Sequence, residues 1–235
     1  MGEGVTRQVA VIIPAHEEEQ RICNVLRAVC AAQLPTEIIV VNDGSWDRTA
    51  EVARSIPGVK VIDLPYNMGK AAAMAAGVRA TSAPIVAFVD ADLAGLRGDH
   101  IDRIIYPILA NQCDMCVGIF RGGKVWSDTA MSISPYLSGQ RAMKRELFEA
   151  IPYISELRMG VEVAINSIAK RRRARVLRVV LPGVSNCHKE KKLGLVKGTA
   201  ERAKMYFEIG QAIVKTNKKN RPRSRRPRSP RRPWL

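Results

Sequence analysis

The chain has no apolar run approaching the ~18 residues needed to span a bilayer, and no cationic, apolar, small-residue leader opens it. Neither membrane spanning nor secretion is therefore expected. A disulfide framework is also missing: five cysteines at irregular spacings form an odd set that suits a reducing cytoplasm. One Cys-x-x-Cys occurs, Cys113 and Cys116, but it flanks the apolar stretch Met115 to Phe120 and reads as part of a packed strand. No G-x-G-x-x-G is present, which counts against a dinucleotide-dependent dehydrogenase. Acids are scarce beside bases, 22 against 38, for a net charge of +16. Nine of the bases follow Thr216 with no acid among them, and removing those nine leaves +7 for the rest. The body is only moderately basic, as a protein that handles phosphates would be.

What is present suffices for one large domain with a tail: 235 residues, 46% of them apolar. Val9 to Ile13 is a continuous β-branched run that suits a strand buried on both faces, with Pro14 expected to stop it. Glu17 to Ala32 carries Ile22, Val25, Leu26 and Val29 at the spacing of one helical face. The alternation repeats with a strand at Ile38 to Val41, a helix at Asp47 to Ile56, a strand at Val59 to Leu64, an alanine-rich helix at Gly69 to Ala80 and a strand at Ile85 to Val89. Short strand-helix-strand spacings imply right-handed crossovers, hence an α/β fold with a mostly parallel central sheet and helices on both faces.

The second half is less regular. A helix near Asp99 to Ala110 and a strand near Met115 to Phe120 precede a polar segment, Arg121 to Ser138. Helices at Arg145 to Ala150 and Gly160 to Arg173 and a strand at Arg175 to Leu181 follow, expected as acceptor-side elements rather than more of the same sheet. Lys191 to Lys215 has helical periodicity, with Leu195, Thr199, Arg202, Tyr206 and Ile209 on one side. These patterns divide the chain into a folded domain, 1–215, and an Arg/Pro/Ser-rich basic tail, 216–235, too polar to fold.

Ligands bind parallel sheets outside the carboxyl ends of the strands. Here those ends deliver Pro14, Ala15, His16, Glu17 and Glu18, then Asn42 to Asp47, then Asn67, Gly69 and Lys70, then Asp90 and Asp92. Asp90 and Asp92 form an i, i+2 pair whose side chains, on a strand end, would point the same way. Two convergent carboxylates repel unless something positive lies between them, and a hard divalent cation can do that while holding a diphosphate. An exposed turn with incidental acids is the alternative. Asp43 can accept from a nucleobase N–H, or the segment Asn42 to Thr49 can be a turn and helix cap, with Ser45 or Asp47 capping. Lys70 opens a helix, a poor place for a cation unless an anion is nearby.

The runs VIIPAHEE at Val11 to Glu18, VVNDGSWDRT at Val40 to Thr49, NMGKAAAMAAG at Asn67 to Gly77 and FVDADL at Phe88 to Leu93 together resemble glycosyltransferase family 2, with its GT-A nucleotide-diphospho-sugar transferase fold. The resemblance implies that Pro14, Ala15, Glu17 and Asp43 line a nucleoside pocket and that Lys70 assists the donor. It also implies that Asp90 and Asp92 form the DXD motif holding Mg²⁺ or Mn²⁺ on the diphosphate. Ser138, Gly139, Gln140 and Arg141, then Arg145 and Glu146, then Gly160, Val161 and Glu162, look like the SGxRA, RE and GVE runs of glucosyl-3-phosphoglycerate synthases and polyprenyl-phosphate sugar transferases. Both groups use phosphate-bearing acceptors. Arg141 then contacts the acceptor phosphate, or else sits in a helix-leading turn paired to Glu146 or Glu162. His188 resembles the late histidine that completes the metal site, with a structural role as the alternative, and Lys189, Lys191 and Lys192 close over the donor phosphates or form a solvated turn.

The expectation is a cytoplasmic hexosyltransferase that moves glucose from a nucleotide sugar, UDP favoured over GDP, to an acceptor such as 3-phosphoglycerate. Asp92, Glu162 and Arg141 are its catalytic candidates. Glu162 is a candidate base without the aspartate that many relatives place after it, so inversion and retention both stay open. A polyprenyl-phosphate acceptor, with the basic tail adsorbed to the inner face of a membrane, is the second possibility. Nucleic-acid binding ranks behind both, because the tail has no aromatic until Trp234 and the body shows no nucleic-acid motif. Oligomeric state is left open, a homodimer being one arrangement.

Overall fold

A computed structural model describes residues 8–121, 139–157 and 160–186. All of them fall in the first of two units, Met1–Lys192 and Leu193–Leu235. Residues 122–138, the stretch Lys191 to Lys215 and the basic tail lie outside the described residues.

The strands are β1 (Val9–Ala15), β2 (Glu37–Asn42), β3 (Val59–Asp63), β4 (Ile85–Phe88), β5 (Leu93–Ala94), β6 (Met115–Arg121), β7 (Arg141–Lys144), β8 (Val176–Pro182) and β9 (Ser185–Asn186). The helices are α1 (Ile22–Cys30), α2 (Thr49–Arg54), α3 (Lys70–Arg79), α4 (Gly98–Leu109), α5 (Arg145–Glu149) and α6 (Val161–Arg171). Seven strands form one sheet in the order β3-β2-β1-β4-β7-β6-β8, parallel except for β7, which runs against both neighbours. The mostly parallel α/β sheet expected from the sequence is therefore present.

Alternation along β1 explains why helices cover both faces. Val9, Val11 and Ile13 pack on one side with Ile22, Val25 and Leu26 of α1 and with Ile101, Ile104 and Ile105 of α4. Ile12 points the other way, into the alanines of α3 and, further along the sheet, Phe148 of α5 and Ile165 of α6. Each of these branched side chains is fully buried, a gain of about 1.5–3 kcal/mol apiece over exposure. Cys113 and Cys116 are buried and free, and burial, followed by the Cys113 charge, pushes the Cys116 thiol up to about 12. A packed strand, not a reactive pair, is what this Cys-x-x-Cys marks.

Three expectations change. Pro14 does not stop β1, which runs on through Ala15 in register with β2. Ile12 accepts from Val89 on the β4 side and Ala15 from Asp43 on the β2 side, so the Pro14 nitrogen faces the β4 side, where β4 has already ended. A missing N–H is harmless at such a local edge. The first helix begins at Ile22 instead of Glu17, because Glu17 sits at φ 56° and its neighbours bond to the loop after β2. Finally, β6, β7 and β8 extend the same sheet instead of forming a separate acceptor layer.

Asp114, just before β6, fastens that extension. Its carboxylate accepts from Lys144 Nζ at 2.8 Å and from the Arg175 backbone N–H at 2.9 Å, while its own N–H donates to the Arg175 carbonyl. The Arg175 hydrogen bond, opposed by burial and aided by Lys144, holds the Asp114 carboxyl far below the usual range. Asp114→Ala is expected to destabilise the fold by about 1–3 kcal/mol. Since the folded pKa is depressed, the wild-type advantage is present above the unfolded value of about 3.9 and shrinks as pH falls below it. Urea melts of both proteins at neutral and acid pH test this, and an equal gap at both would exclude the carboxylate as its source.

No helix among the described residues is long and apolar enough to cross a membrane.

Candidate active site

A cleft of about 340 Å³ opens where β1, β2 and β4 end and α3 begins, lined by Pro14, Ala15, His16, Glu18, Asp43, Asn67, Gly69, Lys70, Asp90, Ala91 and Asp92. This is the strand-end edge that the sequence points to. A larger hollow of about 710 Å³ lies by α4 and β8, but its acids are committed elsewhere. There Asp102 caps the backbone N–H groups of Gln33 and Leu34, and Asp99 pairs with Arg97 and Arg103.

One end of the cleft is stitched from two loops. Glu17 N–H donates to Ser45 Oγ, Glu18 N–H to Thr49 Oγ1 and Glu19 N–H to Asp47 Oδ2. Asp47, one residue ahead of the N-cap Arg48, which has no side-chain cap, also accepts from the Thr49 N–H, while Ser45 serves the facing loop. Gly44 is required between them: its φ is +65° and a Cβ would lie 2.4 Å from the Tyr66 carbonyl carbon. Asp43 is buried, and its two oxygens accept from the N–H groups of Met68 at 2.7 Å and Gly69 at 2.9 Å. Asp43 thus shapes the lysine loop as well as facing the cleft, and its carboxylate keeps lone pairs with which it can accept a further hydrogen bond. His16 Nδ1 lies 2.9 Å from the Asp43 carbonyl, which can only accept, so the proton sits on Nδ1. Glu17 is exposed and does not line the cleft, whereas Glu18 does.

At the other end lies a charged cluster. Lys70 Nζ is 2.6 Å from Asp90 Oδ1 and 2.8 Å from Glu162 Oε1, which supplies the anions that a lysine in a first helical turn requires. Burial alone would lower the Lys70 pKa, but Asp90 and then Glu162 lift it above the ordinary lysine value. Burial would likewise raise the Asp90 pKa, and Lys70, Gln140 and Arg141 together bring it below the usual carboxylate range. Gln140 Nε2 donates to Asp90 Oδ2 at 2.6 Å, and Gly139 packs so closely that a Cβ there would lie 2.3 Å from the same oxygen. Because β4 ends at Phe88, Asp90 and Asp92 sit on the following turn and not on strand alternation, yet both face the cleft.

Arg141 is not in a helix-leading turn. It opens β7 opposite Phe88 and Val117, is completely buried, and donates to Asn166 Oδ1 at 3.2 Å. Burial draws its pKa down to about 10, against the pull of Glu162 and Asp90, so it stays charged at neutral pH. Glu162 and Asn166 stand one turn apart on α6, so that helix steadies both Lys70 and Arg141. Ser138, His188, Lys189, Lys191 and Lys192 lie outside the described residues. Gln140 and His16 were not picked out by chemistry in the sequence; their only signal is adjacency to Arg141 and to the β1 end.

Asp90 and Asp92 offer hard oxygen donors on one turn, and among the described residues no group of three His, Cys, Asp or Glu surrounds a metal-sized space. Two carboxylates completed by substrate phosphates are how magnesium is commonly held. Among the described residues, the donor set fits Mg²⁺ or Mn²⁺ shared with a diphosphate.

Residues 10–166 match the sequence profile of Glycosyl transferase family 2, and the chain belongs to that family. It is 40% identical over 104 residues to 4,4'-diaponeurosporenoate glycosyltransferase of Staphylococcus aureus (strain bovine RF122 / ET3-1), a match covering 42% of this chain and 28% of that protein. The chain thus spans well under half the length of the curated relatives it matches. Glucosyl-3-phosphoglycerate synthase from Mycobacterium tuberculosis, solved with Mn²⁺, UDP and glucosyl-3-phosphoglycerate, superposes with a TM-score of 0.64 at 26% identity over 77% of this chain and 72% of that one. The same enzyme with Mg²⁺ and UDP superposes with a TM-score of 0.63 at 26% identity and the same coverage.

Proposed function

We propose that this chain moves a sugar, glucose by preference, from a nucleotide-diphosphate sugar to a phosphate-bearing acceptor such as 3-phosphoglycerate. The observation that carries this is the single cleft in which the Lys70, Asp90 and Glu162 cluster meets Asp92 and the Asp43 loop. The family supports nucleotide-sugar transfer, and the structural neighbours bound to UDP and phosphoglycerate support the choice of donor base and acceptor class.

Pro14, Ala15 and Asp43 take the nucleoside, with Glu18 rather than Glu17 as the acid on that wall. Asp90, Asp92 and His188 would hold the Mg²⁺ or Mn²⁺, which would supply Lewis-acid stabilisation of the leaving diphosphate. Lys70 adds a full positive charge beside that diphosphate. Arg141, buried behind the cluster, offsets Glu162 and Asp90, while Ser138 and Gly139 border the acceptor. Glu162 already accepts from Lys70, so its first task is to orient that lysine; the hydroxyl of 3-phosphoglycerate must give up its proton, which the departing diphosphate can take, whereas an ionised polyprenyl phosphate would attack without a base.

Incubation with UDP-glucose, Mn²⁺ and 3-phosphoglycerate should give a phosphate-bearing glucoside detectable by mass spectrometry. Glucosylation of a polyprenyl phosphate instead, with none of that product, would overturn the acceptor assignment. His188→Ala should raise the Mn²⁺ concentration for half-maximal activity by roughly tenfold or more. An unchanged metal requirement would remove His188 from the metal site.

A further inference from the structure

Asp90 is held from two sides by partners of different mobility. Gln140 grips Oδ2 at 2.6 Å, and only the absence of a side chain at Gly139 leaves that oxygen its place, since a Cβ there would lie 2.3 Å from it. Lys70, by contrast, reaches Oδ1 on a flexible four-carbon stem and already has a second acceptor in Glu162. A divalent cation on Asp90 and Asp92 would bind carboxylate oxygens at about 2.0–2.1 Å, placing its charge within a few ångströms of the ammonium. Lysine and cation cannot both hold the Asp90 carboxylate closely without strong repulsion.

We propose that Lys70 and the divalent cation compete for Asp90, and that arrival of the donor diphosphate resolves the competition by drawing Lys70 off Asp90. The inference rests on the donor-site function above and deepens it. Lys70 suppresses metal binding while no diphosphate is present and supports it once one arrives, so metal and nucleotide load as a coupled pair. Glu162 is the pivot that keeps the ammonium in the cleft during the exchange. Gln140 is the positioning residue that keeps Asp90 in place when Lys70 leaves.

Mn²⁺ titrations followed by electron paramagnetic resonance, with and without UDP, test this on the full chain. In the wild type, UDP should tighten Mn²⁺ binding at least tenfold. In Lys70→Met, Mn²⁺ alone should bind about tenfold more tightly, whereas Mn²⁺ with UDP should bind about tenfold more weakly, so that the coupling collapses. A lysine acting only through a screened field would change the metal-alone value less than threefold, and that result would overturn the proposal. Lys70→Gln, read in the same way, guards against a folding defect in the first variant. A crystal structure with Mg²⁺ and UDP gives the second readout: loss of the contact between Lys70 Nζ and Asp90 Oδ1 is expected, and its persistence would sink the idea. If the wild type binds no UDP under any metal condition, the donor site itself is wrong, and the competition falls with it.

Discussion

Asp92→Ala should abolish the rise in thermal midpoint that UDP and Mn²⁺ together produce, read against the variant's own unliganded midpoint. Asp92 is half-buried on a turn beyond β4, and Leu93 and Ala94 next to it, not Asp92, join the β5 pairing. Its removal therefore leaves the seven-stranded sheet intact. Ligand at a hundredfold excess over its dissociation constant adds about 2.7 kcal/mol, which for a chain of this size is roughly 5–10 °C. The wild type should show that shift with Mn²⁺ and lose it with chelator; the variant should show none. Running UDP against GDP in the same experiment identifies the base. A shift of full size in Asp92→Ala would mean that the cation, if any, is held elsewhere.

The second large effect is expected from one methyl group. Gly139→Ala puts a Cβ 2.3 Å from Asp90 Oδ2 and 2.6 Å from Oδ1. The backbone there cannot easily retreat, since residue 141 is already paired to both β4 and β6. The carboxylate must move instead, taking with it the contacts to Gln140 and Lys70. A displacement near 1 Å at a reacting centre lowers turnover by about a hundredfold. Because the crowding is confined to the cleft, the unfolding midpoint should change far less than kcat. Activity within threefold of wild type would show that Asp90 need not be held in this position. A parallel loss of stability and activity would show that the 139–140 segment is a folding element first.

Much of this arrangement is written plainly in the first ninety residues. Strands buried on both faces leave continuous β-branched runs such as VAVII and EIIVV, and these need no partner information to recognise. Their ends are where polar residues break the run, which is why Asp43, Lys70, Asp90 and Asp92 could be placed on one edge. What was not legible depended on distant pairing. RAMK at Arg141 to Lys144 is a four-residue strand whose identity comes from lying between β4 and β6, and nothing in its composition announces that. The sequence accordingly offers Arg141 as an acceptor contact or as part of a helix-leading turn, and not as a residue buried in a sheet. The acidic start of the first helix misled for a similar reason: Glu17 to Glu19 have good helix propensity, but their backbone N–H groups are taken by Ser45, Thr49 and Asp47. The link from Lys70 to Glu162 spans more than ninety positions and has no local signature.

The shortest pairing in the fold has a consequence for how the site is assembled. Leu93 and Ala94 follow directly on Asp92, and they pair antiparallel with Ser185 and Asn186, just ahead of Cys187 and His188 in the chain. Close by, a Cβ on Gly95 would lie 2.1 Å from the Gly183 carbonyl oxygen, so these two segments touch backbone to backbone. The two-rung ladder is a clasp between an early turn and a late one. It fixes β9 beside the turn that carries Asp92, so a chain lengthened between β8 and β9 would keep its seven-stranded sheet and lose the alignment of β9 with that turn.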